Sequence, residues 1–266
     1  QFFMTDIDDY SSSISDLSKA IELEIDNSDF YFTRAQVYFK TKEYKSALND
    51  FEKVLELNPE IINSKYIYAE IAKCHAGIGD FEKALDYYNM EIDLGENANA
   101  YSERAMFYDL YLNDFEKANL DFEKAIELAP NTNNIVLQYL NFLHYNKKYK
   151  QALEIAKKAS EIEPKDPQSA YVSASIYMEI NKPFQALAHL NSCIEKIIKF
   201  SGEGYWISDR SNSELDLSEV FLMRGNFYKD KDKELMCNDY EEALNFTFDE
   251  NQKAKINSLL SENCGT

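Results

Sequence analysis

Residues that could do chemistry are few in this sequence and lie far apart. The three histidines, His75, His144 and His189, have no metal-ligand partner or nucleophile at a useful spacing. Gly77 and Gly79 lack the rest of a phosphate-binding glycine loop. The carboxylates mostly stand at helical pair spacing with lysines, as on a solvated surface. The sequence therefore predicts a protein that is not an enzyme and has no metal and no cofactor.

The cysteines give no sign of a disulfide framework. Cys74, Cys193, Cys237 and Cys264 show no paired spacing, and a chain of 266 residues can bury a core without disulfides. We therefore expect four free thiols. Cys193 falls where a small buried residue is needed, so it should belong to the core.

Charge excludes one class of partner. The chain has 47 Asp and Glu against 28 Lys and Arg, a formal net charge of -19. Nucleic acid is excluded, because its phosphates require a basic surface. A basic protein partner is compatible with this charge, but acidic surfaces are usually only solvated surfaces, and we prefer that explanation.

The sequence carries no membrane or export signal of its own. No apolar run is long enough for a membrane span, and no signal peptide is present, so we expect no membrane insertion and a cytoplasmic location. The chain begins at Gln1 rather than Met. An upstream segment is therefore expected to have been removed, together with any targeting signal that it carried.

One pattern recurs along the chain and organises it. A small residue is followed by a bulky one four positions later, another small one three positions after that, and a final Pro. This is one face of a helix and its stop. The copies are ALNDFEKVLELNP at 47–59, ANLDFEKAIELAP at 118–130 and ALEIAKKASEIEP at 152–164.

A second string precedes some of these helices and completes a helix pair. RAQVY at 34–38, RAMFY at 104–108 and RGNFY at 224–228 share a small residue and a Tyr at fixed positions. The pattern at residues 4–20 matches that at 38–54 with an offset of 34 residues. With this period, the chain resembles the tetratricopeptide repeat family.

The resemblance implies an all-α fold, a right-handed α-solenoid of stacked antiparallel helix-turn-helix repeats over residues 1–266. A truncated first repeat at 1–27 should contain the remnant of a first helix at residues 1–9. Full repeats are expected at 28–61, 65–97, 98–132, 133–166, 167–200 and 218–248. An insertion loop is expected at 201–217, and a capping helix and tail at 249–266.

Local signals place some helix ends. Thr41 and Asp80 are expected to cap the second helices of their repeats, and Asp166 the first helix of the repeat at 167–200. His75 stands where the family usually has Tyr. We interpret it as a core residue rather than a metal ligand.

In the resembled family the first helix of each repeat lines a concave groove. The resemblance therefore implies a non-enzymatic protein-protein interaction scaffold that binds a peptide or protein segment. The residues on the exposed edges of these helices are Phe32, Gln36, Lys40, Lys73, Met106, Asn141, His144, Tyr145, Tyr171, Ser175, Asn226 and Lys229.

The middle of this predicted groove suits an extended peptide, because amide and hydroxyl groups can bond its backbone while rings cover its side chains. Tyr171 could instead pack between helices. Family members that clamp the carboxylate of chaperone tails use Lys, Asn and Arg at set positions, which argues against such a ligand here. The comparable positions hold Asp29, Phe32 and Thr33, then Tyr66, Ala69 and Glu70, then Asn99, Ser102 and Glu103.

The insertion at 201–215 contains the only Trp of the chain. Its Tyr205, Trp206 and Arg210 are residue types that anchor interfaces. We predict loop contacts with a partner from these three, or a loop that folds back on the array as a plug.

Two other functions stay open. The chain could be a sensor or adaptor module of a larger or membrane-anchored protein, or it could offer a carbohydrate-binding groove, since Trp, Tyr and Asn also suit sugars. An apolar edge around Phe2, Phe3 and Met4 could pair with a second copy to form a homodimer.

Overall fold

The computed structural model describes residues 2–63, 67–95, 97–201, 217–247 and 249–265. The described residues form fourteen α-helices and one short 3-10 helix, with no strand among them, which confirms the all-α repeat fold. The chain divides into two compact units, residues 1–130 and residues 131–266.

The first unit holds one single helix and three helical hairpins. Helix α1 packs against α2, and the hairpins are α2–α3, α4–α5 and α6–α7. A 3-10 helix at Pro59–Asn63 lies between the first two hairpins. The helices are α1 (Phe2–Leu23), α2 (Ser28–Lys40), α3 (Tyr44–Leu57), α4 (Ile67–Ile78), α5 (Phe81–Asp93), α6 (Ala98–Leu112) and α7 (Phe115–Leu128).

The second unit holds three hairpins and a final helix. The hairpins are α8–α9, α10–α11 and α12–α13, and α14 packs against α13. Helix α11 is the second helix of its hairpin and extends to Ser201. The helices are α8 (Asn133–Tyr145), α9 (Tyr149–Ile162), α10 (Gln168–Glu179), α11 (Pro183–Ser201), α12 (Leu217–Tyr228), α13 (Lys233–Phe246) and α14 (Glu250–Cys264).

Small residues let the helices of each hairpin approach closely. The alanines that the pattern places on the inner faces are fully buried in both units, and bulky residues fill the space between them. The buried small residues include Ala35, Ala72 and Ala105 on first helices and Ala47, Ala84, Ala118, Ala152 and Ala186 on second helices.

Three arginines tie successive helices together, one in each RA or RG string. Each donates from Nε and Nη2 to a buried Asp carboxylate on the second helix of its own hairpin, with distances down to 2.7 Å. Each also donates from Nη1, at 2.6–3.0 Å, to a polar side chain on the preceding helix. The sets are Arg34 with Asp50 and Ser18, Arg104 with Asp121 and Asn89, and Arg224 with Asp239 and Asn191.

The turns inside five hairpins use one residue with a left-handed backbone, and these are Lys42, Gly79, Asn113, Lys147 and Asn181. Asp80 accepts a hydrogen bond from the Lys83 amide and caps α5 as predicted. Asp166 accepts one from the Gln168 amide at the start of α10.

The prediction that Thr41 caps α3 is wrong. Thr41 ends α2, and its hydroxyl donates to the Tyr38 carbonyl, while Glu43 occupies the N-cap position of α3 and its side chain makes no capping hydrogen bond. Thr41 lies two residues before that position, which is too far back to cap α3.

The N-terminal helix differs from the predicted truncated hairpin. Residues 2–23 form the single helix α1, so the expected remnant at residues 1–9 is not a separate element. Asp8 corresponds to the left-handed Lys42 at the 34-residue offset, but it stays helical. Without that reversal the chain cannot fold back, and the helix continues.

His75 is a core residue, as predicted. Its ring is buried and stacks on Tyr87 with centroids 5.4 Å apart, and burial lowers its pKa.

Glu91 occupies a position where the other repeats bury small or apolar residues. Only 3 % of it is exposed, and its carboxylate accepts hydrogen bonds from the Tyr68 and Ala69 amides in the first turn of α4. Those amides have no partner within their own helix. Burial raises the Glu91 pKa despite these bonds. The equivalent residues are Val54, Ala125, Ala159, Cys193 and Ala243.

The expectation of four free thiols is wrong for two of them. Cys237 on α13 and Cys264 at the end of α14 form a disulfide. Because α14 returns along α13, its last residue comes level with the first turns of α13. Cys74 and Cys193 are free thiols, and both are buried, which was predicted for Cys193; burial raises the pKa of each to about 12.

Candidate functional site

In the first unit, two of the predicted groove residues line one cavity. Lys73 on α4 and Met106 on α6 face a cavity of about 250 Å³. Three others lie outside it. Phe32 packs its ring on Phe51 with centroids 5.8 Å apart, whereas Gln36 and Lys40 are exposed on α2.

Aromatic side chains that are not among the predicted groove residues form most of the cavity wall. On one side Phe39 and Tyr44 meet edge to face with centroids 5.6 Å apart. On the other side Phe107 and Tyr111 stack at 5.7 Å. The remaining lining residues are Tyr88, Glu103 and Leu110.

Gly77 on α4 determines how closely Tyr44, in one wall of the cavity, packs against that helix. A Cβ atom at this position would lie 2.6 Å from the Tyr44 ring. Only glycine therefore lets Tyr44, at the start of α3, lie against α4. A glycine inside a helix indicates a close contact, but the sequence does not show that this contact is with the Tyr44 ring.

Charges at this cavity are arranged around one lysine. Lys73 Nζ lies 3.1 Å from a Glu103 oxygen and 3.3 Å from a Glu70 oxygen. Burial opposes its charge, but the two carboxylates hold the Lys73 pKa above its ordinary value. Two carboxylates facing one ammonium leave this part of the cavity with a net negative charge.

In the second unit, Asn141, His144 and Tyr145 follow one another along α8. His144 Nε2 lies 2.7 Å from Glu179 Oε1 on α10, and the Tyr149 hydroxyl donates to Glu179 Oε2 at 2.6 Å. These hydrogen bonds hold the Glu179 pKa below its ordinary value, and the bond from Tyr149 has the largest effect. Tyr145 is 80 % exposed, so its ring is available to a ligand.

The other predicted residues of this unit are divided between packing and surface. Tyr171 packs against the core, and its hydroxyl donates to Glu219 at 2.9 Å, so part of its ring serves the fold. Ser175 donates to the Tyr171 carbonyl. Asn226 accepts a bond from the Tyr240 hydroxyl, and Lys229 is exposed.

A second cavity, of about 450 Å³, lies between α11, α12 and α13. None of the predicted groove residues lines it. Its apolar lining includes Ile194, Ile197, Phe221, Leu235 and Phe246.

Some predicted contacts cannot be placed. Tyr205, Trp206 and Arg210 lie outside the described residues, and so do the side chains of Phe2, Phe3 and Met4. Within the described ranges, no three or more His, Cys, Asp or Glu residues are grouped so that they could hold a metal ion. None of the described helices combines the length and apolar character that a membrane span requires.

Known proteins similar to this chain include an Hsp70-Hsp90 organizing protein and a peptidyl-prolyl cis-trans isomerase. The Hsp70-Hsp90 organizing protein 1 of Glycine max is 25 % identical over 205 residues, which is 73 % of this chain and 34 % of that protein. The peptidyl-prolyl cis-trans isomerase FKBP4 of Homo sapiens is 30 % identical over 126 residues, 41 % of this chain and 27 % of that protein. The chain thus spans about a third or less of the length of these relatives.

Solved structures share the fold over almost the whole chain. The C-terminal part of a TPR repeat-containing protein from Cytophaga hutchinsonii has a TM-score of 0.60 at 18 % identity and covers 94 % of this chain and 95 % of that one. A tetratricopeptide repeat protein from Parabacteroides merdae has a TM-score of 0.57 at 19 % identity and covers 96 % and 93 %.

Family models match two parts of the sequence. Residues 28–61 match the Tetratricopeptide repeat, and residues 113–199 match the ChAPs (Chs5p-Arf1p-binding proteins). Residues 28–61 contain the hairpin α2–α3, and the same hairpin recurs through both units. The chain thus contains a tetratricopeptide repeat at residues 28–61 and has the fold of the tetratricopeptide repeat structures along most of its length.

Proposed function

We propose that this chain is a non-enzymatic interaction scaffold that holds an extended peptide or protein segment on the exposed edges of its first helices. The observation that carries this proposal is the cavity at Lys73 and Met106, which opens among the first helices of the hairpins. Its combination of rings with a few polar groups is typical of ligand sites. The similarity to an Hsp70-Hsp90 organizing protein supports an interaction scaffold, since that name describes the organization of other proteins.

The second unit offers a further contact surface. Tyr145 is largely exposed beside Asn141 on α8, and a ring next to an amide can cover a side chain and bond a peptide backbone. In the first unit, the acidic residues around Lys73 make the carboxylate of a chaperone tail an unsuitable ligand, because like charges would meet.

The experiment is an affinity capture from the lysate of the source cell, with bound proteins identified by mass spectrometry. We compare the native chain with a variant carrying Lys73→Glu, Asn141→Ala and Tyr145→Ala, whose folding is checked by circular dichroism. We expect at least one protein retained by the native chain and lost by the folded variant. Equal retention by both would place the interface elsewhere and contradict the proposal.

A sensor or adaptor role within a longer protein, a carbohydrate ligand and a homodimer through the N-terminal edge stay predictions from the sequence.

A further inference from the structure

Charge is unequally divided between the two units. Residues 1–130 carry 27 Asp and Glu against 12 Lys and Arg, a formal net charge of -15. Residues 131–266 carry 20 against 16, a net charge of -4. The first unit, which contains the cavity at Lys73, therefore carries most of the negative charge of the protein.

The rim of that cavity is apolar and exposed. Leu110, on the last turns of α6, is 72 % exposed, and the neighbouring Tyr111 is 44 % exposed. Both line the cavity with Phe39 and Tyr44 from the first hairpin. A large apolar side chain that enters between these rings would bury surface on both partners, and such anchors dominate binding energy at interfaces.

The charged groups of the cavity determine which side chains of the partner are favourable next to that anchor. Glu70 and Glu103 share the single ammonium of Lys73, so one negative charge is left over at the cavity. Glu103 also lines the cavity directly. A Lys or Arg beside the apolar anchor would complement this excess, and the charge of the whole unit would attract a basic segment from a distance.

We infer that the first unit binds a basic protein segment in which a large apolar side chain enters the cavity between Phe39, Tyr44 and Leu110 and adjacent Lys or Arg residues meet Glu103. This inference rests on the proposed scaffold function and names the chemical class of its partner. It differs from the chaperone-tail ligand, which would present a free carboxylate.

The test is a selection of random dodecapeptides displayed on phage, carried out on the full chain. Enriched peptides are then synthesised with a fluorescent label, and their affinity is measured by anisotropy at about 0.05 M and about 0.3 M NaCl. We expect enriched sequences that place a large apolar residue next to Lys or Arg. Their binding should weaken with salt, because part of it comes from exposed charges.

Two variants test the cavity, each with a matched control in the same unit. Leu110→Asp removes the apolar rim and should weaken binding about tenfold or more. Glu103→Gln removes one charge and should weaken it a few-fold, chiefly at low salt. The controls are Leu120→Asp, which changes another exposed leucine on α7, and Glu116→Gln, which removes an exposed charge on α7. Both controls should bind like the native chain.

Failure of the inference can be distinguished from failure of the scaffold function. Enriched peptides rich in Asp and Glu, or peptides insensitive to both Leu110→Asp and Glu103→Gln, would overturn the inference. If those peptides are lost with Asn141→Ala and Tyr145→Ala, peptide binding stands and belongs to the second unit. If no peptide is enriched above the unselected library, the peptide-binding function fails and the inference fails with it.

Discussion

At the scale of single residues, buried charges are placed where they hold helices together. Arg104 joins α5, α6 and α7 through Asn89 and Asp121, and Arg34 and Arg224 do the same at other hairpins. The paired Asp side chains are almost completely buried. Removal of one partner would leave a buried charge unpaired, which is costly. These pairs fix the register of neighbouring helices.

Glu91 gives a prediction at the same scale. Its raised pKa means that the folded protein favours the protonated carboxyl. The stabilising contribution of Glu91 relative to Gln is therefore complete below the ordinary carboxyl range of about pH 4 to 5, and is lost as pH rises through the higher folded pKa. We expect the free energy of unfolding of native protein minus that of Glu91→Gln to fall over this interval.

The measurement is urea unfolding of both proteins across a pH series. Glu116→Gln is measured alongside as the same substitution at an exposed position on α7. A native-minus-Glu91→Gln difference that rises with pH would contradict the assignment of Glu91 as a buried carboxylate of raised pKa.

At the scale of elements, the C-terminal helix is fastened both by packing and covalently. Ile256 and Leu260 bury one face of α14 in the core of the second unit. The Cys237–Cys264 disulfide then closes a loop of 27 residues between α13 and α14. This helix covers the apolar face that the last hairpin would otherwise expose.

The disulfide gives the prediction for this element. Closing a loop of that length stabilises the folded state by about 3 kcal/mol in the chain-entropy description. Cys237→Ser with Cys264→Ser should lower the free energy of unfolding by that order, and faster hydrogen exchange should appear first in α12 to α14. Dithiothreitol should destabilise the native chain similarly and leave the double variant unchanged. An unchanged free energy of unfolding in the double variant would show that the bond contributes nothing to stability.

The same bond bears on location. Disulfides persist mainly in oxidising compartments. Alkylation of free thiols in protein taken from its source, followed by mass spectrometry, shows whether Cys237 and Cys264 are free or disulfide-bonded there. Labelled Cys237 and Cys264 would support the cytoplasmic location predicted from the sequence, and an intact disulfide would argue against it.

At the scale of the whole molecule, the unequal charge should make the two units respond differently to salt. Self-repulsion among the excess carboxylates opposes the compact state, and salt screens it. We expect hydrogen exchange in α2 to α7 to slow more than in α8 to α13 when NaCl is raised from about 0.02 M to about 0.3 M. The effect should correspond to about 0.5 to 1 kcal/mol.

The control for this experiment is the same ionic strength supplied by a second neutral salt with a different cation. An equal response of both units, or a larger one in the second unit, would show that net charge does not govern their relative stability.

The class of fold and the positions of most helices can be predicted from the sequence alone. Contacts within a helix lie three or four residues apart, so the small-bulky-small pattern and the three RA or RG strings suffice to predict them. The sequence also determined that Cys193 and His75 belong to the core. The turn residues could not be predicted from the sequence, because Lys42 and Lys147 adopt a left-handed backbone and nothing about a lysine side chain indicates one.

Contacts between residues far apart in the sequence become visible only in the tertiary structure. The pairing of Cys237 with Cys264, the cap that Glu91 on α5 provides to α4, and the meeting of Tyr44 with Leu110 at one cavity all join residues on different helices. Such contacts depend on how far each helix rotates and where it ends, and those quantities are fixed by packing across the unit. Spacing along one helix contains no information about them.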